Sequence, residues 1–187
     1  MASLDQPILA VIQDFYGVLN SHSKYLEIFC NYGVQLEGWF KGELLSYFHE
    51  QKNTHRISDF DREVLCGQGK KKIDFRIDIY SGNIGEVHWI EVKHWLIGYQ
   101  KGTKYNVNSY FTDRSTVGIV DDVNKLTAIV NGQKYLLIIT TSNPGKDMWN
   151  QGVLNFIKKF KIPHLTSLTD PSDFPPSYFL GLLYLSG

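Results

Sequence analysis

Glu91 and Lys93 stand two residues apart in EVHWIEVKHW, residues 86 to 95, a run otherwise rich in Val, Trp and Ile. Val87, Trp89, Ile90, Val92 and Trp95 favour an extended strand. Side chains of a strand alternate between its faces, so Glu91 and Lys93 share a face and Val92 turns to the other. Upstream, KIDFRIDIY alternates as cleanly: Ile73, Phe75, Ile77 and Ile79 form one face, and Asp74, Arg76, Asp78 and Tyr80 the other. If Gly82-Asn83 forms a two-residue turn, Ser81 pairs with Ile84. Asp74 then falls opposite Glu91, Arg76 opposite Trp89 and Asp78 opposite Val87. Directly opposed residues hold their Cβ atoms about 5 Å apart on one face. Two carboxylates and a lysine therefore converge. Like charges opposed across strands repel, and a divalent cation turns the repulsion into attraction because Mg²⁺ and Ca²⁺ take hard carboxylate oxygens.

The elements that must position these groups can be read on either side. DQPILAVIQDFYGVLN places Ile8, Ile12, Phe15 and Leu19 at helical spacing, behind Asp5 as a cap and Pro7 in the first turn. SKYLEIFCNYG is a shorter helix that Gly33 can end. VQLEGWFKGELLSYFHE is a third, with Leu36, Phe40, Leu44, Tyr47 and Phe48 in one broad stripe. The period then changes to two: DREVLCG, a GQGKKK turn, and the two strands above. Residues 97 to 116 form a polar, aromatic-rich loop long enough to suggest a function. VGIVDDVNKLTAIVN is an amphipathic helix, and KYLLIITT a strand apolar enough to be buried on both faces. DMWNQGVLNFIKKF is a further helix, and KIPHLTSL and SYFLGLLYL supply closing strands. This order predicts a single α/β domain: a mixed central sheet with an antiparallel meander, flanked by helices. Residues 1–33 are a helical extension, 34–160 the core and 161–187 the terminal strands.

Asp74 followed across a turn by IEVK, with Glu91 and Lys93, resembles the PD-(D/E)XK nuclease superfamily. The resemblance spans about residues 34 to 160, and Ile73 stands where the family has a proline. It implies a restriction-endonuclease-like core of helix, three-stranded meander, helix and strand. It implies Mg²⁺ or Mn²⁺ on Asp74, Glu91 and the Val92 carbonyl, with Lys93 orienting the attacking water and supporting the scissile phosphate. It also implies an acid on the helix before the meander. Glu43, a charge beside Phe40 and Tyr47, fits that position, and Glu37 is the alternative. The implied activity is hydrolysis of DNA to 5′-phosphate and 3′-hydroxyl ends. No separate DNA-reading domain is evident, so duplex cleavage would call for a homodimer or a targeting partner.

The residues admit plainer roles. Glu91 and Lys93 could form an ion pair on a solvated face, although Trp89 and Trp95 on that face argue against full solvation. Arg76 could contact phosphate, but its setting favours neutralising its neighbours Asp74 and Asp78. His94 points away from Glu91, which suits a buried, supporting histidine. In the loop, Lys101, Lys104 and Arg114 contact phosphates and Tyr99, Tyr105, Tyr110 and Phe111 stack on bases, or the loop closes over the domain's own core. The rival function is a noncatalytic nucleic-acid-binding or protein-interaction module that retains the fold.

Composition supports the rival more than the enzyme. The 187 residues carry 19 Lys plus Arg against 19 Asp plus Glu, a formal net charge of zero, so no global field draws nucleic acid or a membrane. Cys30 and Cys66 make neither a CxxC pair nor a disulfide scaffold and suit buried thiols in a reducing cytosol. MASLDQPILAVIQDF lacks a basic start and meets Asp14 early, unlike a signal peptide. No run reaches the roughly 18 apolar residues of a membrane span. A cytoplasmic protein is expected.

Overall fold

Alternation and helical stripes place most elements where the chain forms them. The structure is a computed structural model that describes residues 7–65, 71–81, 84–97, 99–100, 103–104, 107–113 and 118–186. Three helices lead: α1 (Pro7–Ser21), α2 (Ser23–Tyr32) and α3 (Glu37–Asn53). Gly33 ends α2 in the left-handed conformation, φ 63°, and its N–H caps the helix on the Cys30 carbonyl. The strands β1 (Asp59–Leu65), β2 (Lys72–Ser81) and β3 (Ile84–Leu96) form an antiparallel meander. Two short strands follow, β4 (Tyr99–Gln100) and β5 (Thr103–Lys104), and then a 3-10 turn at Val107–Ser109. The helix α4 (Val120–Thr127) crosses over to β6 (Gln133–Thr141), which runs parallel to β3. The chain closes with α5 (Lys146–Phe160), β7 (Leu165–Ser167) and β8 (Phe179–Leu185). The result is an α/β fold with a six-stranded mixed sheet, order β1-β2-β3-β6-β8-β7.

The sheet separates two cores. On one face α1 and α3 bury Ile8, Ile12, Phe15, Phe40, Leu44 and Phe48 against Phe75, Ile77, Ile90, Val92, Leu137 and Leu180. On the other, α4 and α5 bury Val123, Leu126, Trp149 and Phe156 against Trp95, Leu136, Ile138 and Leu183. The central strand β6 feeds both cores and is buried from Lys134 to Thr141, as its unbroken apolar run predicts. None of the described helices is long and apolar enough to cross a membrane.

The hairpin register agrees with the turn assignment: Ser81 pairs with Ile84, Asp78 with Val87 and Arg76 with Trp89. One face assignment needs correction. Ile73 packs in the second core, while Phe75, Ile77 and Ile79 pack in the first. Two residues that alternation puts on one face thus lie on opposite sides of the sheet. The strand therefore turns over between them, at Asp74. The expected helix over 117–131 is shorter, Val120–Thr127, and Gly132, at φ 93°, precedes β6. A Cβ there would approach the Val87 carbonyl to 2.6 Å, so glycine is required at this position.

Candidate metal centre

The rotation at Asp74 opens the meander where the chemistry was expected. The described β2–β3 pairing reaches Phe75 opposite Ile90, one step short of Asp74 opposite Glu91. Beyond it, side chains take the place of the ladder. The Asp74 N–H donates to Glu91 Oε2 at 3.2 Å, and the Val92 N–H donates to Asp74 Oδ2 at 2.8 Å. Each carboxylate is thus anchored by the other strand's backbone. In an antiparallel ladder one residue presents its N–H and C=O to the same neighbour, so the Val92 carbonyl also faces β2. On the other side of Asp74, the register puts Glu63 of β1 opposite it, and Glu63 holds a φ of 51°. This left-handed conformation is strained for a non-glycine residue and marks a distortion of the sheet.

A lysine reaches each acid from a different layer. Lys41 of α3 lies 2.8 Å from Asp74 Oδ1 and 2.9 Å from Glu37 Oε1. Lys125 of α4 donates to Glu91 Oε1 and lies 3.0 Å from Asp122 Oδ1. Lys93 shares the α4 side with Glu91, as alternation requires, but its partner is Asp122: the ammonium lies 2.9 Å from Oδ2, within ion-pair distance yet outside hydrogen-bond geometry. Five groups from three elements therefore form one chain of charge, from Asp74 and Glu91 through Lys125 and Asp122 to Lys93.

Burial sets the protonation balance. Glu91 is only 4% exposed. Its burial, and then the neighbouring Asp74 charge, hold its carboxyl above the ordinary range against the downward pull of Lys125. Burial pulls the Lys125 ammonium the other way, but its bonds to Glu91 and Asp122 prevail and hold it above the usual lysine range. Lys41 behaves alike: burial lowers it, and Asp74 and Glu37 together raise it further. Both lysines stay charged. Glu91 is the strained member of the group.

Several expected participants lie elsewhere. Glu43 is not at the site; it faces His22, 3.9 Å away, near the junction of α1 and α2. Two residues along a helix turn a side chain by about 200°, so Glu43 cannot share the direction of Lys41. Glu37, one turn before Lys41, is the helix acid linked to Asp74. Arg76 neutralises Asp78 (2.6 Å) and Asp61 (3.4 Å), not Asp74. His94 does turn from Glu91: its Nδ1 lies 3.1 Å from the Leu36 N and 3.0 Å from Gln35 Oε1, and its Nε2 lies 3.0 Å from Thr141 Oγ1. Lys101, Tyr105 and Arg114 fall outside the described residues, as does the side chain of Lys104.

For Tyr110 and Phe111 the packing role holds, not stacking on bases. Both are buried, with the Tyr110 ring stacked on Trp95 at 5.3 Å and Phe111 set edge-on to it at 4.9 Å. Gly152 of α5 admits Phe111, whose ring would sit 2.6 Å from any Cβ there.

Asp122, Lys125 and Lys41 are the participants the motif did not reveal. Their helical spacings, three and four residues from Lys125 back to Asp122 and from Lys41 back to Glu37, are visible signals of pairing. Nothing in those spacings says that the lysines also reach the sheet.

A hard divalent cation fits the donor chemistry of Asp74, Glu91 and the Val92 carbonyl. All four carboxylate oxygens already accept a donor, two from backbone and two from lysine. Among the described residues no group of three or more His, Cys, Asp or Glu is placed to hold a metal ion. The site is thus a two-carboxylate site, closed by its own lysines. A cleft of about 210 Å³ between α3 and β1–β2, lined by Gly38, Lys41, Gly42, Arg62, Glu63 and Asp74, leads to it from the surface. Comparison with protein-family models, curated proteins and solved structures finds no match to this chain.

Proposed function

We propose that the chain is a metal-dependent nuclease that hydrolyses phosphodiester bonds in DNA. The observation that carries this reading is the buried Glu91 beside the half-buried Asp74 at the point where β2 and β3 part. A sheet gains nothing in stability from two acids there, since each must be desolvated beside the other. The element order supports it too: α3, the meander, α4 and a strand parallel to β3 follow the restriction-endonuclease-like core that the D…ExK motif suggests. Asp74, Glu91 and the Val92 carbonyl would hold Mg²⁺ or Mn²⁺, which supplies Lewis acidity and a water of lowered pKa. Lys93, on the Glu91 face, would hold that water or a nonbridging phosphate oxygen by charge and hydrogen bond. Asp122 would fix the direction of the Lys93 ammonium. The cleft beside Asp74 would admit the substrate strand.

Cleavage of a panel of linear, nicked, branched and single-stranded DNA, with Mg²⁺ and with chelator, tests the reading on wild type and Asp74→Asn. Mg²⁺-dependent cleavage by wild type alone is expected. Lys93→Ala should keep Mn²⁺ affinity in calorimetric titration and lose cleavage; normal turnover in that variant would make the lysine structural. A second reading is favoured by the four occupied carboxylate oxygens: a noncatalytic module in which lysines have taken the place of the cation. It predicts no Mn²⁺ heat in wild type and no cleavage of any substrate.

A further inference from the structure

We infer that Lys41 and Lys125 are exchangeable counterions, which leave Asp74 and Glu91 for acids on their own helices when a divalent cation enters. The inference rests on the metal-dependent reading above. Each lysine is held between two carboxylates. One is a sheet acid at the opening, Asp74 for Lys41 and Glu91 for Lys125. The other is a helix acid that cannot join the cation's donor set as placed: Glu37, at 2.9 Å from Lys41, and Asp122, at 3.0 Å from Lys125. A lysine ammonium on a flexible four-carbon stem can give up one partner and keep the other. The helices therefore supply a resting place for each cation that is displaced.

Charge requires the exchange. In the network four acids, Asp74, Glu91, Asp122 and Glu37, face three lysines, Lys41, Lys125 and Lys93. A divalent ion held by Asp74 and Glu91 would meet two ammonium groups in direct contact with its own ligands. Repulsion then drives both lysines toward Glu37 and Asp122. Lys93 differs: it already rests on Asp122 and touches neither carboxylate. Asp122 would carry Lys93 and the displaced Lys125 together, which makes it the positioning residue of the α4 side. Its burial, 4% exposed, suits a fixed anchor. The exchange gives the two acids a compensated state without metal and leaves each displaced cation with a carboxylate partner when metal binds.

Calorimetric titration with Mn²⁺ tests this on the full chain. Lys125→Met should bind Mn²⁺ about tenfold tighter than wild type, Lys41→Met should change in the same direction, and Lys93→Met should change least, because exchange removes a competitor at the ligands and not merely a nearby charge. The cation-free melting temperature of Lys125→Met should fall and its rise on adding Mn²⁺ should exceed that of wild type. A second measurement needs no substitution: the ¹³C signals of dimethylated Lys41 and Lys125 should shift on Mg²⁺ titration, and by more than the signal of Lys93. Should Lys125→Met not fold, Lys41→Met and these signals decide. If wild type binds Mn²⁺ and neither variant binds tighter than Lys93→Met, or the two signals stay fixed, the exchange is overturned and the metal site stands. If wild type binds no Mn²⁺ and matches Asp74→Asn, the metal reading falls and the exchange falls with it.

Discussion

One hairpin carries acids and cations at both of its ends, and the two ends treat them differently. Near the turn, Asp78 and Arg76 belong to the regular ladder, opposite Val87 and Trp89. Their ion pair, with Asp61 as a third member, lies on a partly solvated face. Water screens it, and such pairs contribute about 0–1 kcal/mol. At the far end Asp74 and Glu91 sit where the ladder stops, with backbone amides turned onto carboxylates and lysines drawn from two helices. Removing one partner of a buried pair costs about 3–5 kcal/mol. The same residue types are therefore ordinary at one end and demanding at the other. Burial together with a broken ladder, not the presence of charge, sets the inner end apart as the candidate site.

The largest expected effect separates the two ends by activity. Asp74→Asn keeps an oxygen for the Val92 N–H and removes the charge. It should lower single-turnover cleavage about 10²–10³-fold, the scale of losing one preorganised electrostatic group. Asp78→Asn should leave the rate within about twofold, because the group is remote from Glu91 and tied to Arg76. Equal losses in the two variants would erase the distinction between the two ends.

The next effect concerns two histidines on the same strand and face. Burial pushes both His88 and His94 down to about 4. An unfolded chain protonates histidine near pH 6.5, so between pH 6.5 and 4 it binds protons that the fold refuses. Stability then falls as pH falls through that window, by about 3 kcal/mol for each group, and levels off below it. Urea unfolding at pH 7.5 and 5 measures the slope. The partners distinguish the pair. His94 is bonded to Leu36 and Thr141, whereas neither nitrogen of His88 has a hydrogen-bond partner among the described residues, and Glu86 is 3.6 Å away. His88→Leu should thus remove half of the acid sensitivity with little loss at pH 7.5. His94→Leu should cost about 1–3 kcal/mol at pH 7.5 by leaving the Leu36 amide and the Thr141 hydroxyl unpaired.

Much of this contrast was legible before any coordinates. A two-residue turn assumed at Gly82-Asn83, which lie outside the described residues, gave the register of Arg76 and Asp78, and period two put Glu91 and Lys93 under one helix. The stripe of Phe40, Leu44 and Phe48 placed α3 on the sheet. The rotation at Asp74 was not legible, because Ile73 and Phe75 have the same period whether or not the strand turns between them. Nor were the lysine partners. Lys41 and Lys125 stand far from Asp74 and Glu91 in sequence, and only the layering of α3 and α4 on opposite faces brings them in. Tyr110 and Phe111 looked like stacking platforms because they lie in a polar loop. Their burial depends on Trp95, Trp149 and the space left by Gly152, which are dispersed along the chain.

The smallest expected effect is the one that most sharply tests whether the outer cluster is ordinary. Arg76 is held by two acids, so its loss looks costly by contact count alone. Asp61 is largely exposed, and water can solvate it without the guanidinium. Asp78 is more enclosed, and its Oδ1 has no hydrogen-bond partner among the described residues even with Arg76 present. Neutralising both members is therefore the fair comparison. Arg76→Gln combined with Asp78→Asn should shift the urea midpoint by the equivalent of about 1 kcal/mol or less, and Mn²⁺ affinity should stay at the wild-type value. The shift should shrink further in high salt, as screening weakens the pair in wild type. A loss of several kcal/mol, or a change in Mn²⁺ binding, would mean that the outer cluster supports the opening at Asp74 through β2. The two ends of the hairpin would then act as one unit.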